Sequence, residues 1–236
     1  MIRLVDQTGS TNADLAAALR AGEAVPEGEW LVARRQSAGR GRQGREWFDG
    51  AGNFMGSTVV TVSMGDPPPA SLSFVAAIAV FQAARVITDS PAGLALKWPN
   101  DVLLNGGKLS GILLEMVRGQ VVVGIGVNLA RAPQIEGRKT VALADVIAAP
   151  DVEHFARVLA EQFARNLAFW RADNLGGTLE RFLGLSIHAR GSPVTVHDTD
   201  GSVLSGTFAG LEESDGALRL RLADGQERVI RAGDLV

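Results

Sequence analysis

Cysteine is absent from all 236 residues, which removes disulfides, thiolate catalysis and cysteine-ligated metal in one step. Histidine is scarce. His154, His188 and His197 are scattered over late elements without metal-ligand spacing, so no metal site is expected. No G-x-S-x-G elbow supports a nucleophilic triad. The first residues, Met1 to Asp6, carry no apolar signal core, and no uninterrupted apolar run approaches the roughly 18 residues of a membrane span. Positive charge is not in excess either. With 23 Lys and Arg against 26 Asp and Glu the formal net charge is -3, which argues against general nucleic-acid binding. These absences point to a soluble, cytoplasmic chain with no membrane partner. Its 46% hydrophobic content suffices for one large core with a smaller unit beside it.

Against that acidic background, five arginines fall in the twelve residues from Arg34 to Arg45. Arg40, Arg42 and Arg45 alternate with Gly39, Gly41 and Gly44, just before Trp47. Glycine lets a backbone bend sharply and approach a ligand closely, while arginine supplies a planar fork of donors for phosphate or carboxylate. The stretch is expected to be a mobile loop that closes over an anion, with a plain solvated basic loop as the alternative. Gly39 to Gly44 matches G-x-G-x-x-G literally, but no helix follows, as the dinucleotide fingerprint requires. Arg45-Glu46 also stands where a P-loop needs Lys and Ser or Thr.

Patterning predicts an α+β chain. Strands are expected at Met1 to Asp6, Trp30 to Arg35 and Asn53 to Ser63. Between the first two, Ser10-Thr11-Asn12 reads as a helix N-cap, with Thr11 and Asp14 at capping-box-like spacing, and the helix ends near Gly22. An alanine-rich helix runs from Ser71 to about Thr88. A meander of Leu94–Trp98, Asp101–Leu104, Lys108–Val117 and Val121–Leu129 follows, turning at Asn105-Gly106-Gly107 and Arg118-Gly119-Gln120. Glycines at 124 and 126 weaken a strand interior and suggest a ligand or backbone lying close by. Val152 to Trp170 is the strongest amphipathic helix, and Leu175 to Phe182 a shorter one. Beyond Ile187, four or five short strands, one pair joined by Asp198-Thr199-Asp200-Gly201, indicate a small β-barrel. The predicted organisation is residues 1–188 as a mixed, largely antiparallel sheet with flanking helices, and 189–236 as an SH3-like barrel.

A second informative stretch is Lys97-Trp98-Pro99-Asn100-Asp101, with Lys108 in Gly107-Lys108-Leu109-Ser110-Gly111. Two lysines, an amide and a carboxylate around glycine-bearing strands make a reasonable anion and ribose site, although Lys108 taken alone reads better as a solvated edge device.

Together, Ser10-Thr11-Asn12, Gln36 with Gly39 to Trp47, Lys97 to Asp101, Lys108-Leu-Ser-Gly-Ile112 and Gly124-Ile-Gly-Val-Asn128 resemble the successive motifs of biotin protein ligases. The helix and barrel beyond fit that family's C-terminal part. The resemblance implies a two-step ATP-dependent enzyme. Biotin's carboxylate attacks the α-phosphate of ATP to give biotinoyl-5′-AMP, and a lysine of a carboxylase's biotin-carrier domain then takes the acyl group. Mg²⁺ is expected with the ATP.

By the same resemblance, Ser10, Thr11, Asn12, Gln36, Gly39, Arg40, Gly41, Arg42, Lys108 and Gly111 bind biotin. Arg40, Arg42, Arg45, Trp47, Lys97, Asn100, Lys108 and Asn128 bind ATP. Lys108 and Arg40 are the catalytic candidates, with Asp101 either accepting the incoming amine's proton or serving only as a turn. Some members carry an N-terminal helix-turn-helix domain; this chain starts at the catalytic motifs, so no DNA binding is expected. A homodimer is left open. Every charged or glycine-bearing motif precedes Asn128, so the barrel is expected to serve only in docking the acceptor. Two competing functions remain, a lipoate or octanoate ligase of the same superfamily and a non-catalytic anion or nucleic-acid module.

Overall fold

The computed structural model describes residues 1–89, 93–198 and 201–235. Thr199 and Asp200 of the expected turn lie outside the described residues. The first half builds a seven-stranded sheet from β1 (Ile2–Thr8), β2 (Trp30–Gln36), β3 (Phe54–Thr61), β4 (Leu94–Lys97), β5 (Asp101–Leu104), β6 (Gly107–Val117) and β7 (Gln120–Val127). Their order is β1-β2-β3-β7-β6-β5-β4. Only β1 and β2 run parallel; the other neighbours are antiparallel.

The hairpins form where the sequence supplies residues that tolerate a left-handed backbone. Asn105 and Gly106 have φ of 50° and 75°, and Arg118 and Gly119 have 50° and 81°. Two successive positive values are what a tight two-residue hairpin turn needs to match strand twist.

Helix α1 (Thr11–Ala21) covers one face of the sheet, burying Leu15, Ala16 and Leu19 against Leu31, Val59, Val117 and Val122. Helices α2 (Leu72–Thr88) and α3 (Val152–Ala172) cover the other. The α2 helix is apolar nearly all round because it is sandwiched. The Pro69–Thr88 segment has the length and hydropathy of a membrane span, yet 67% of its most apolar window is buried in this fold. Its first turn, Pro69–Ser71, is 3₁₀ and not α-helical, so the α-helix begins one residue later than the expected Ser71. Asp151 caps α3 by accepting from the His154 N–H at 2.8 Å. The predicted face of Phe155, Leu159, Phe163, Leu167 and Trp170 is wholly buried. The Trp170 indole N–H donates to Ser71 Oγ at 2.7 Å, so the largest side chain in the core has no unmet donor.

After α4 (Asn174–Gly184) come β8 (Pro193–Asp198), β9 (Val203–Leu211), β10 (Leu218–Arg221), β11 (Glu227–Ile230) and β12 (Gly233–Leu235), an antiparallel sheet in the order β11-β10-β9-β8-β12. This is the expected SH3-like unit, its five strands within the four or five that the sequence pattern suggested. It is not packed loosely. Val194, Val196, Phe208, Leu218 and Leu220 belong to the same apolar cluster as α2 and α3. The Trp98 indole N–H also donates to the Gly216 carbonyl at 3.1 Å, and a Cβ on Gly216 would sit 2.3 Å from the Phe74 ring.

Candidate functional site

The site grows from the start of α1. Ser10, and not Thr11, is the N-cap; it accepts from Ala13 N at 3.5 Å, a long contact. The capping-box expectation at Thr11 and Asp14 therefore gives way, and Asp14 accepts from the Thr8 hydroxyl instead. The shift frees Thr11 and Asn12 to face inward from the first helical turn, where backbone N–H groups lack intrahelical partners. Thr11's N–H finds Gln36 Oε1 at 2.7 Å, and its hydroxyl reaches the same oxygen at 3.1 Å. Thr11 Oγ1 also lies 2.7 Å from Ser57 Oγ, which donates to Asn12 Oδ1 at 2.7 Å. Four polar side chains from α1, β2 and β3 thus form one buried chain of hydrogen bonds, each at most 7% exposed.

The glycines of β6 and β7 lie beside this chain. Gly124 pairs with Ser57 across β3–β7, and a Cβ there would stand 2.2 Å from Asn12 Oδ1. Two residues along, on the same face of the strand, a Cβ on Gly126 would fall 2.2 Å from the Trp47 indole. Gly111 is the β6 partner of Gly126, and its Cβ would be 3.0 Å from that ring and 3.4 Å from Lys108 Nζ. Asn12 and Trp47 therefore lie flat on the sheet only because these positions have no side chain. Both leave a buried donor unpaired: Asn12 Nδ2 and Trp47 Nε1. Buried polar groups without partners are rare, and each calls for an explanation, a water or a ligand group among them.

The basic residues surround this floor. Lys108 Nζ stands 2.7 Å from Asp101 Oδ1, close but off the axis of a hydrogen bond, so the pair is ionic. Between Gly39 and Trp47 the chain folds back on itself. Gly41 N donates to Arg45 O at 2.7 Å and Trp47 N to Gly39 O at 3.0 Å, with Gln43 and Gly44 in left-handed conformations. Arg42 reaches Asn100 Oδ1 at 3.0 Å, and Asn100 in turn donates to the Ile112 carbonyl. Burial lowers the Arg42 pKa from its usual value; Asp234 and Asp101 oppose that shift and Arg45 adds to it. Arg45 is bonded to Asp234 of β12, and Arg138 approaches the same carboxylate to 4.0 Å. Burial would raise the Asp234 pKa, but the Arg45 hydrogen bond and the charges of Arg45, Arg42 and Arg138 hold it below the usual aspartate value.

The barrel, expected to serve only in docking the acceptor, also touches the loop. Its last strand holds an arginine of the loop, an interaction spanning 189 residues.

The remaining candidates divide. Arg40 is exposed, without an ion-pair partner among the described residues, and free to meet a ligand. Asn128 is buried behind the site, its amide donating to the carbonyls of Lys108 and Val141 at 3.3 and 3.1 Å. It fastens the segment carrying Lys108. Lys97 stands toward the barrel junction, where its charge, second to burial, lowers the His188 pKa. Among the described residues no group of three or more His, Cys, Asp or Glu could hold a metal.

Three residues escaped sequence reasoning. Ser57 lies mid-strand in a Val- and Thr-rich run with no local signal. Asp234 lies in an unremarked tail. Asn53 braces the wall after the loop by accepting from Ala130 N and Arg131 N and donating to Arg131 O.

Comparison with known proteins is consistent along the chain. Residues 5–130 match the biotin/lipoate A/B protein ligase family, and residues 191–236 match the biotin protein ligase C-terminal domain. A biotin–[acetyl-CoA-carboxylase] ligase of Paracoccus denitrificans is 42% identical over 246 residues, covering 98% of both chains. Its counterpart in Mycobacterium tuberculosis is 37% identical over 241 residues, covering 99% of this chain and 87% of its own. Among solved structures, a biotin protein ligase from Aquifex aeolicus in complex with biotin and ATP superposes with a TM-score of 0.84. At 24% identity, covering 100% of this chain and 97% of that one, it speaks for the fold alone.

Proposed function

The chain belongs to the biotin/lipoate A/B protein ligase family, and we propose that it is an ATP-dependent biotin–[acetyl-CoA-carboxylase] ligase acting through biotinoyl-5′-AMP. One observation carries the choice of biotin. Thr11, Asn12, Gln36 and Ser57 join into a buried polar chain beside Trp47 and Lys108. A bicyclic ureido ring, rich in N–H and C=O, needs such partners, whereas a lipoyl or octanoyl chain needs an apolar channel.

In the first step a carboxylate oxygen of biotin bonds to the α-phosphorus of ATP, and the bond from that phosphorus to the bridging oxygen breaks to release pyrophosphate. Biotin is already ionised, so no base is required. Both reactants are anions, and their approach must be offset by fixed positive charge. Lys108, held by Asp101, supplies it from the floor, and Arg40, Arg42 and Arg45 from the loop. Trp47 offers an apolar face to the adenylate, with Asn100 orienting Arg42. In the second step the carrier lysine's nitrogen attacks the acyl carbon, AMP leaves with the bridging oxygen, and the amine loses its proton. A carboxylate engaged by an ammonium suits the holding of Lys108, so Asp101 is assigned positioning. Among the described residues there is no acidic cage, and Mg²⁺ would arrive on the ATP phosphates. The setting is cytoplasmic, the partner a carboxylase's biotin-carrier domain; no DNA or membrane partner is included.

Thermal shift with biotin, lipoate, ATP and an oligonucleotide tests this, because a ligand that binds only the folded form raises stability by mass action. Biotin and ATP should each raise Tm, and pyrophosphate release should require biotin. Stabilisation by lipoate or oligonucleotide but not by biotin would overturn the proposal.

A further inference from the structure

Ser57 belongs to none of the motifs that led to the site, yet it is the hub of its polar chain. The residue is fully buried on β3. Its Oγ lies 2.7 Å from Thr11 Oγ1 and 2.7 Å from Asn12 Oδ1, while Thr11 Oγ1 lies 3.1 Å from Gln36 Oε1. A hydroxyl carries one proton. The chain therefore has three contacts but only two hydroxyl protons, because with Oδ1 turned to Ser57 both ends are acceptors. One contact must lack a hydrogen. At the same time Asn12 Nδ2, with two N–H groups, is buried without a partner.

A single change removes both defects. If the Asn12 carboxamide turns over about its last torsion, Nδ2 donates to Ser57, Ser57 to Thr11, and Thr11 to Gln36 Oε1, so every contact has its proton. The carboxamide oxygen then takes the place that Nδ2 held, where no protein group meets it. Such a turn barely alters shape, since the two ends of an amide are nearly equal in size. The amide must still lie flat on the strand, because a Cβ on Gly124 would come within 2.2 Å of one end and 3.1 Å of the other.

We propose that Ser57 is a positioning residue that sets the Asn12 carboxamide with its oxygen toward the ligand, as the acceptor for an N–H of biotin's ureido ring. This rests on Thr11, Asn12 and Gln36 lining the biotin pocket. Ser57 never touches the reacting atoms. It acts by deciding whether Asn12 shows the ligand an acceptor or a donor.

The test is biotin affinity by titration calorimetry, with ATP affinity and Tm recorded for each variant. Ser57→Ala leaves the Asn12 carboxamide free to turn, so it should weaken biotin roughly three- to tenfold, the size of one neutral hydrogen bond. ATP affinity should not change, and Ser57→Thr should restore part of the loss. Unaltered biotin affinity in Ser57→Ala overturns the proposal. Gln36→Leu separates the two levels. If it loses biotin while Ser57→Ala does not, only the role of Ser57 falls; if it keeps biotin, the pocket assignment falls and this inference with it.

Discussion

The floor of the site and the loop above it contain similar numbers of polar residues but hold them in opposite ways. On the floor, Thr11, Asn12, Gln36 and Ser57 are nearly water-free and bonded to one another across α1, β2 and β3. In the loop, Arg40 is exposed and Arg42 and Arg45 are half-buried, with partners drawn from distant places: Asn100 in the turn before β5 and Asp234 on β12. Floor geometry is fixed by the fold itself, so in the proposed function a biotin ring would meet a preformed surface. Loop geometry depends on a few surface contacts, and ion pairs of that kind are worth about 0–1 kcal/mol. On the proposed assignment, recognition of the neutral ring is built in, whereas recognition of phosphate is assembled when needed.

Lys108 belongs to the floor by position and to the loop by charge, and its removal should have the largest effect. Lys108→Ala should slow adenylate formation by about 10²–10³-fold, the size of losing one preorganised charge-stabilising group. Biotin-dependent pyrophosphate release measures it. Release at a near-normal rate would show that the loop arginines alone carry the charge. Asp101→Asn sharpens the point, because loss of the positioning carboxylate should slow adenylation as well as transfer. A defect confined to transfer would return Asp101 to the role of base.

A smaller effect should come from the floor. Thr11→Val removes a hydroxyl that joins Gln36 to Ser57 while keeping the shape. Biotin's Kd should rise about five- to tenfold, the size of one buried hydrogen bond, with ATP binding unchanged. Equal weakening of both ligands would mean that the floor is not specific to biotin.

Smaller still is the contribution of the barrel. Asp234→Asn weakens the hold on Arg45 and should raise KM for ATP a few-fold while sparing biotin affinity. The sign with pH follows from the lowered Asp234 pKa. Because the folded value lies below the unfolded one, the contact contributes fully above about pH 3.9 and fades as pH falls through the lower folded value. The variant should therefore show its defect at neutral pH, with no recovery toward alkaline pH. An unchanged KM would leave Arg45 without need of the barrel.

Local pattern carried much of this structure into view. The Asn105-Gly106 turn, the five-residue face of α3 and the glycines at 111, 124 and 126 announce themselves because turn chemistry, helical period and missing side chains are properties of short stretches. Ser57 and Asp234 do not. A buried serine in a valine-rich strand looks like any polar gap, and its worth comes from Thr11 and Asn12, more than forty residues away. Asp234 matters because β12 pairs with β8 and brings the chain's end over the loop. The α1 cap shifted from Thr11 to Ser10 for a related reason. Gln36, in another element, takes the Thr11 N–H and settles which residue starts the helix.

The comparison breaks most directly at the loop's backbone. Arginines packed among glycines repel one another and carry high chain entropy, so the segment should open often when no anion is present. Its contacts include Gly41 to Arg45, Arg45 to Arg42, Trp47 to Gly39, the Arg45 side chain to Gln43, and the ties of Arg42 and Arg45 to Asn100 and Asp234. Biotinoyl-AMP would add a phosphate for Arg40 and Arg42 and an apolar partner for Trp47. Closure would then order the donors and keep water from the mixed anhydride. Trypsin cuts after arginine and needs an opened backbone, which makes this cheap to measure. Cleavage after Arg40, Arg42 or Arg45 should be fast in the free protein and several-fold slower with biotin and ATP. The floor predicts the opposite behaviour, since Arg35, next to Gln36 on β2, should resist trypsin with or without ligand. Asp234→Asn should speed loop cleavage only in the free state, because bound phosphate takes over the work of that carboxylate. If the free loop resists trypsin as well as Arg35 does, the loop is as preformed as the floor and the contrast between them disappears.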